Sequence, residues 1–190
     1  MPPVRIGVLI SGNGTNLQTL IDQIDLGKIN GRIAAVISDR KDAYGLVRAK
    51  NNKLDALFID RKSCQDDLEF NRKIIAEFKK RDVRLIVLAG YLRILSSEAI
   101  KAYPNRIINI HPSLIPSFCG KGYYGKKVHQ AVLDYGVKLT GATVHFVDEG
   151  TDTGPIISQK AVEVEWDDTV ESLQNKVLKV EHTLLPEAVR

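Results

Sequence analysis

The stretch VRIGVLISGNGTNLQTLI at residues 4–21 decides the fold class. Val4 to Ile10 is a nearly continuous apolar run, which is typical of a strand covered on both faces of a sheet. A polar turn with two glycines follows at 11–16, and from Leu17 onward apolar residues recur at helical spacing. The stretch therefore predicts a strand, a tight turn and a helix in immediate succession.

The rest of the chain continues this alternation over roughly its first two thirds, which indicates a parallel sheet flanked by helices. Further strands are predicted at 33–38, 56–59, 85–89 and 106–110, and helices at 43–52, 66–81, 96–102 and 126–135. Two β-prone runs at 139–147 and 155–164 predict a hairpin-like pair, and Asp168 with Glu171 would start a last helix as a capping box. We therefore expect an α/β fold in one domain over 1–190. Its sheet is Rossmann-like, mostly parallel and flanked by helices, with a C-terminal antiparallel strand pair and a terminal helix.

Composition and charge narrow the class of protein. With 44% hydrophobic and 26% charged residues, the 190-residue chain has the profile of an ordinary soluble globular protein. Its two cysteines are too few for a disulfide framework and lack the spacing of zinc ligands, so we expect a cytoplasmic location. We expect no signal peptide and no membrane span. The net charge of +4 is scattered among 23 acids and aromatic residues are only 6%, so small anionic ligands explain it without nucleic acid.

The turn Ser11–Asn16 is the first candidate site. Between a strand and a helix, backbone N–H groups and the positive helix terminus favour an anion such as phosphate. A dinucleotide fingerprint fails because its third glycine would fall at Leu17, and no P-loop lysine follows. The motif predicts phosphate binding, with a tight structural turn as the alternative.

Asn109 and His111 form the second candidate site. Residues two apart in a strand face the same side, so an amide and an imidazole project together at the carboxyl end of a sheet strand, where open α/β folds bind ligands. An amide N–H and a protonated imidazole can together hold an oxyanion, as addition to a carbonyl requires. Asp152, in a glycine-flanked connector, is a candidate partner that would raise the pKa of His111. The alternative is a hydrogen-bonded structural pair beside a solvated loop acid.

The other candidate residues favour packing over chemistry. His129 and His182 lie in predicted helices and His145 in a predicted strand, where a histidine is more often structural. Ser113 lacks the G-x-S-x-G setting of a nucleophile. Neither H-E-x-x-H nor a paired C-x-x-C occurs, so no metal is expected.

Several segments together resemble the phosphoribosylglycinamide formyltransferase family, the folate-dependent enzymes of purine synthesis. They are VLISGNGTNL at 8–17 (its phosphate loop), LAGYLRIL at 88–95 (its folate-contacting segment), NIHPSLIP at 109–116 (its catalytic strand end), TVHFVDEGTDTGP at 143–155 (its aspartate loop), and Glu181 with His182 in the last helix. The resemblance runs from Val4 to the last residues. It implies a one-carbon transferase that acts on small molecules, uses 10-formyltetrahydrofolate as cosubstrate without a metal, and is a monomer or homodimer.

The resemblance also implies roles for individual residues. Those implied to bind glycinamide ribonucleotide are Gly14, Thr15, Asn16 and Glu181. Those implied to bind folate are Leu92, Arg93, Ile94, Leu95 and Asn109, together with the 148–152 loop. Those implied to be catalytic are Asn109, His111 and Asp152. The implied formyltransferase domain has a phosphate-binding, Rossmann-like half at about 1–105 and a catalytic, folate-binding half at about 106–190.

The chain departs from the family pattern at two positions. Many members have an arginine near the position of Asp67, where it can meet the glutamate tail of folate, whereas the nearest cations here are Arg61 and Lys62. The family often has proline where this chain has Cys119, a change that affects loop rigidity rather than the reaction.

Two other functions are weighed against this one. Methionyl-tRNA formyltransferase and formyltetrahydrofolate hydrolase resemble this catalytic core and stay as alternatives, but each carries a further domain for which 190 residues leave no room, so length argues against both. A non-catalytic phosphoribosyl-binding module would use only the turn Ser11–Asn16. That function gives Asn109, His111 and Asp152 no role.

Overall fold

The computed structural model describes residues 2–190, which divide into two compact units at the boundary between Ile108 and Asn109. The first unit contains β1 (Val4–Ile10), α1 (Thr15–Asp25), β2 (Gly31–Ser38), α2 (Tyr44–Asn51), β3 (Ala56–Phe58), α3 (Asp67–Lys80), β4 (Leu85–Leu88) and α4 (Ser97–Ala102). Strand β5 (Ile107–His111) crosses the boundary. The second unit continues with α5 (Lys126–Tyr135), β6 (Leu139–Phe146), β7 (Ile156–Glu163) and α6 (Val170–Val189).

The strands follow the order β3-β2-β1-β4-β5-β6-β7 in one mixed sheet. Strand β1 pairs in parallel with β2 and β4, and β2 pairs in parallel with β3. Strands β6 and β7 pair antiparallel. The predicted fold class is therefore confirmed, including the C-terminal antiparallel pair and the terminal helix.

The first unit is built around β1, whose residues from Ile6 to Ile10 are buried, as the apolar run predicts. Helix α3 places the ring of Phe78 directly against this strand. A Cβ atom added at Gly7 would lie 2.5 Å from that ring, so a glycine is needed there for the helix to approach. The predicted start of α3 is also confirmed, because the Asp66 carboxylate caps the helix by accepting the Glu69 N–H at 2.7 Å.

In the second unit, α6 packs on β6, β7 and α5. The capping box predicted from Asp168 and Glu171 is wrong, because α6 begins at Val170 and the reciprocal hydrogen bonds join Thr169 and Ser172. The Thr169 hydroxyl accepts the Ser172 N–H at 3.1 Å, and the Ser172 hydroxyl accepts the Thr169 N–H at 2.9 Å. Within residues 2–190, the helices are all too short or too polar to cross a membrane.

Candidate active site

The turn after β1 is shaped by Gly14, which lies in the left-handed region at φ 73° and directly precedes α1. A Cβ atom there would lie 2.6 Å from the Cα atom of Gly45, so the first turn of α2 packs against this glycine. The first turn of α1 contains no acidic residue, and Gly14 has no side chain to cap it. The positive end of α1 therefore carries no acidic side chain, and phosphate binding at this turn stays a prediction.

Helix α2 also supports this turn. The Arg48 guanidinium donates to the backbone oxygen of Asn13 at 2.9 Å and to its side-chain oxygen at 3.0 Å. The Gly45 N–H donates to the Gly12 oxygen at 3.0 Å. The turn thus has a fixed conformation with a cation beside it, and Arg48 is a residue that the sequence analysis did not single out.

Substituting Gly14 with alanine should destabilise the protein and remove phosphate binding. A non-glycine residue at this φ costs about 1–3 kcal/mol in backbone strain, and the overlap with Gly45 adds to it because a backbone atom cannot rotate away. Gly27→Ala is the matched control, since Gly27 has a φ of 69° but a Cβ atom there meets nothing within 4 Å. Urea unfolding and titration with glycinamide ribonucleotide measure both effects. Equal losses in the two variants would contradict the packing argument.

The predicted folate segment, Leu92 to Leu95, follows β4 in the first unit. Leu92 and Ile94 expose 42% and 64% of their surface, whereas Leu95 is buried. The Arg93 guanidinium lies over the Phe70 ring at 5.5 Å and pairs with the carboxylate of Asp39. The segment therefore presents two exposed apolar side chains, and the contacts of Arg93 with Phe70 and Asp39 hold it in place. Exposed apolar side chains suit contact with a flat ring.

In the second unit, the Asn109, His111 and Asp152 side chains converge on one cluster. Asn109 and His111 lie on β5, and Asp152 lies in the connector between β6 and β7. The Asp152 Oδ2 atom is 3.6 Å from the Nδ1 atom of His111 and accepts the Gly120 N–H at 2.9 Å. The structure thus brings together residues that lie up to 43 positions apart in the sequence.

His145 is a fourth member of this cluster that the sequence analysis assigned to packing. Its Nδ1 atom lies 2.8 Å from the Phe146 carbonyl oxygen, which can only accept, so Nδ1 carries the hydrogen. In the neutral ring Nε2 then accepts a hydrogen bond from the Asn109 amide at 3.2 Å. Nε2 also lies 3.6 Å from the Asp152 carboxylate. His145 thereby orients the Asn109 amide and leaves its second N–H for a ligand.

His111 is held by the carbonyl oxygen of Phe118. Its Nε2 atom lies 3.0 Å from that oxygen and donates to it, so a further proton is gained at Nδ1, facing Asp152. Phe118 adopts a φ of 51°, uncommon for a bulky residue, and its ring makes edge contacts with Tyr123 and Tyr135. The aromatic contacts therefore stabilise the backbone conformation that clamps His111.

Burial lowers the pKa of His111 below its ordinary value, and this effect outweighs the Phe118 carbonyl and the Asp152 charge, which raise it. The net shift is opposite to the predicted one, although Asp152 acts in the predicted direction. Its side chain is only 6% exposed, so burial disfavours the charged imidazolium in the unliganded protein.

The same cluster favours the charged form of Asp152. Burial acts to raise its pKa, but the interactions with the rings of His145 and His111 and with the Gly120 N–H lower it more, so the pKa lies below the ordinary value. Because the folded pKa is depressed, the Asp152 charge stabilises the folded state at neutral pH. That contribution is lost as the pH falls through the depressed pKa.

The remaining candidate side chains are largely buried. The Ser113 hydroxyl is buried and donates to the carbonyl oxygens of Ser117 at 2.6 Å and Phe118 at 3.2 Å, which fits no nucleophile. His129 is buried, and burial lowers its pKa to about 4. Glu181 is buried on α6, with His182 beside it. Within residues 2–190, no group of three or more His, Cys, Asp or Glu side chains has a metal-binding arrangement.

A family model described as formyl transferase matches residues 4–189. The chain belongs to the formyl transferase family. Family membership implies a folate-type cosubstrate, and it confirms the resemblance seen in the sequence.

Relatives named phosphoribosylglycinamide formyltransferase support the same assignment. The chain is 36% identical to the one from Bacillus subtilis, with 98% of this chain and 93% of that protein covered. It is 39% identical to the chloroplastic one from Arabidopsis thaliana over 97% of this chain, and spans 64% of that protein's length. The crystal structure of glycinamide ribonucleotide transformylase 1 from Symbiobacterium toebii matches with a TM-score of 0.94 and 47% identity, covering 99% of this chain and 86% of that one.

Proposed function

We propose that this chain transfers the formyl group of 10-formyltetrahydrofolate to the amine of glycinamide ribonucleotide in purine biosynthesis. The observation that carries the proposal is the convergence of Asn109, His111 and Asp152, a donor, a titratable ring and a carboxylate, in one buried cluster. The names of the relatives support the substrate, and the turn before α1 supports a phosphate ester.

The proposal assigns the two substrates to different sets of residues. Gly14, Thr15 and Asn16 hold the ribonucleotide phosphate, and Glu181 contacts the same substrate. The residues proposed to contact the pterin are Leu92, Arg93, Ile94, Leu95 and Asn109, with the 148–152 loop. We retain the division into a phosphate-binding half at about 1–105 and a catalytic half at about 106–190 as part of this proposal.

The reaction proceeds by direct attack of the glycinamide amine on the formyl carbon, which gives a tetrahedral oxyanion. The Asn109 N–H that His145 leaves free donates to this oxyanion. Protonation of His111 at Nδ1 adds a positive charge, and the adjacent Asp152 carboxylate stabilises that charge. Burial, which disfavours the imidazolium in the free protein, also strengthens its attraction to an anionic intermediate.

Collapse of the intermediate breaks the bond between the formyl carbon and N10 of the folate. The amine loses a proton and N10 gains one, so the folate leaves as tetrahydrofolate. Asp152 assists this transfer through an intervening water, because its carboxylate is the charged base of the cluster. The water-mediated step therefore needs Asp152 ionised, as its lowered pKa provides.

One assay tests the proposal and separates the alternatives. The protein is mixed with glycinamide ribonucleotide and a 10-formyl folate, and the deformylated folate is followed by absorbance. Turnover that requires the ribonucleotide supports the proposal. Folate release without ribonucleotide would indicate a hydrolase, and ribonucleotide binding without turnover would indicate a phosphoribosyl-binding module.

The setting that we propose is the cytoplasm, with small molecules as the only partners and a monomer or homodimer as the active form. Both cysteines, Cys64 and Cys119, are free thiols, which is compatible with a reducing compartment. Sedimentation at several protein concentrations distinguishes monomer from dimer.

A further inference from the structure

A buried carboxylate follows β2 in the first unit and connects two other segments. The side chain of Asp39 is only 6% exposed. One of its oxygens accepts the Ser11 hydroxyl at 2.6 Å, and the other accepts the Arg93 guanidinium N–H at 2.9 Å. Burying a carboxylate is costly unless it is paired and hydrogen-bonded, and here both oxygens are.

Ser11 extends this connection to the backbone of the next segment. Its hydroxyl oxygen accepts the Leu92 N–H at 2.9 Å, while its own N–H donates to the Gly90 oxygen at 3.1 Å. The hydrogen bonds thus run from the Leu92 amide through Ser11 to Asp39 and back to Arg93. These bonds join the loop after β1 to the segment after β4, and Asp39, the residue that follows β2, links the two.

We propose that Asp39 is a positioning residue that couples the two ligand-binding segments of the first unit. The inference rests on the proposed function, which assigns the loop after β1 to a phosphate ester and the segment 92–95 to a planar folate ring. Through Ser11 and Arg93, Asp39 holds the second segment in a fixed relation to the first. A ligand that stabilises the loop therefore also stabilises the segment that binds the other ligand.

Asp39 makes two hydrogen bonds, one with Ser11 and one with Arg93, which we call the two arms of the connection. Two variants distinguish their effects. In Asp39→Asn, the side-chain oxygen still accepts the Ser11 hydroxyl, but the amide nitrogen cannot accept from Arg93. We expect it to weaken binding of a non-reacting 10-substituted folate analogue about tenfold and to change glycinamide ribonucleotide binding less than twofold. In Asp39→Ala both arms are lost. We expect bound ribonucleotide to tighten binding of the folate analogue by about fivefold or more in the unmodified protein, and this factor should fall to about one in Asp39→Ala.

Asp67→Asn is the matched control. The Asp67 carboxylate also faces Arg93, at 3.7 Å, but its side chain is 70% exposed. This variant removes a carboxylate from Arg93 without touching Ser11, so the coupling factor should be unchanged. A purely structural role for Asp39 predicts lower stability in urea with the coupling factor retained, and that result would overturn the inference.

Amide hydrogen exchange of the unliganded protein tests the connection without any ligand. Exchange at the Leu92 N–H should be at least about fivefold faster in Asp39→Ala than in the unmodified protein, and unchanged in Asp67→Asn. Equal exchange in Asp39→Ala would overturn the inference even if both ligands bind. Failure of both ligands to bind the unmodified protein would count against the proposed function, and the exchange measurement would still decide the role of Asp39.

Discussion

Replacing Asn109 with alanine is expected to lower kcat by about 10²–10³-fold, which corresponds to about 3–4 kcal/mol of transition-state stabilisation. The reason is that one amide N–H of Asn109 is held by His145 and the other is left for the oxyanion. The ribonucleotide affinity should change little, because the phosphate is assigned to the loop after β1. Steady-state kinetics with both substrates and titration of the ribonucleotide alone measure the two quantities.

Asn109→Asp is the companion variant, since it keeps the shape of the side chain and replaces the donor with an acceptor. It should be at least as slow as Asn109→Ala, because a carboxylate would repel the developing oxyanion. Melting temperatures close to that of the unmodified protein would show that both variants fold. A kcat within threefold of the unmodified protein in both would remove Asn109 from the mechanism.

The parts of the fold that the sequence predicts are those with local causes. The apolar run of β1 and the spacing of Phe70, Ile74 and Phe78 in α3 each specify one element without reference to the rest of the chain. Likewise Ser96 caps α4, as predicted, by accepting the Ala99 N–H at 3.3 Å. The capping box of α6 was misplaced because Thr169 and Ser172, rather than Asp168 and Glu171, exchange the reciprocal hydrogen bonds, and only the observed first residue of the helix identifies that pair.

The parts of the site that the sequence could not predict depend on contacts between distant residues. That Asn109 and His111 share a face follows from the period of a strand. His145, by contrast, meets Asn109 across 36 positions, and the pairing of strands that brings them together is not visible in a single sequence. The clamp from Phe118 comes from an irregular loop in which no periodicity indicates which carbonyl points inward.

The direction of the pKa shift of His111 could not be predicted from the sequence either. From the sequence only the sign of the nearest charge could be assessed, and Asp152 does raise the pKa as expected. Burial acts in the opposite direction and is larger, because removing the ring from water penalises the imidazolium. Burial is a property of the folded chain. The spacing of residues therefore does not show whether burial or the Asp152 carboxylate has the larger effect on the pKa of His111.

Replacing Asp152 with asparagine is therefore expected both to slow the reaction and to shift its pH dependence. Loss of a group that assists proton transfer lowers kcat by about 10²–10⁴-fold. Removing the carboxylate also removes an interaction that raises the pKa of His111, so that pKa falls further. Because the mechanism requires protonated His111, the decline of kcat with rising pH should begin at a lower pH in the variant. The amide oxygen can still accept the Gly120 N–H, so the loop should keep its conformation.

Asp148→Asn serves as the control for this prediction. Asp148 lies in the same connector, but its carboxylate accepts the Gly150 N–H at 3.2 Å and the Thr153 hydroxyl at 2.7 Å, a local turn that an asparagine oxygen can also support. Because Asp148 belongs to the loop proposed to contact folate, the KM for folate is expected to rise, but at saturation kcat and its pH profile should match those of the unmodified protein. The pH dependence of kcat for all three proteins, at saturating concentrations of both substrates, decides the assignment. An Asp152→Asn variant with unchanged rate and profile would show that this carboxylate neither charges His111 nor moves the proton, and the catalytic role would then fall to Asn109 and His111 alone.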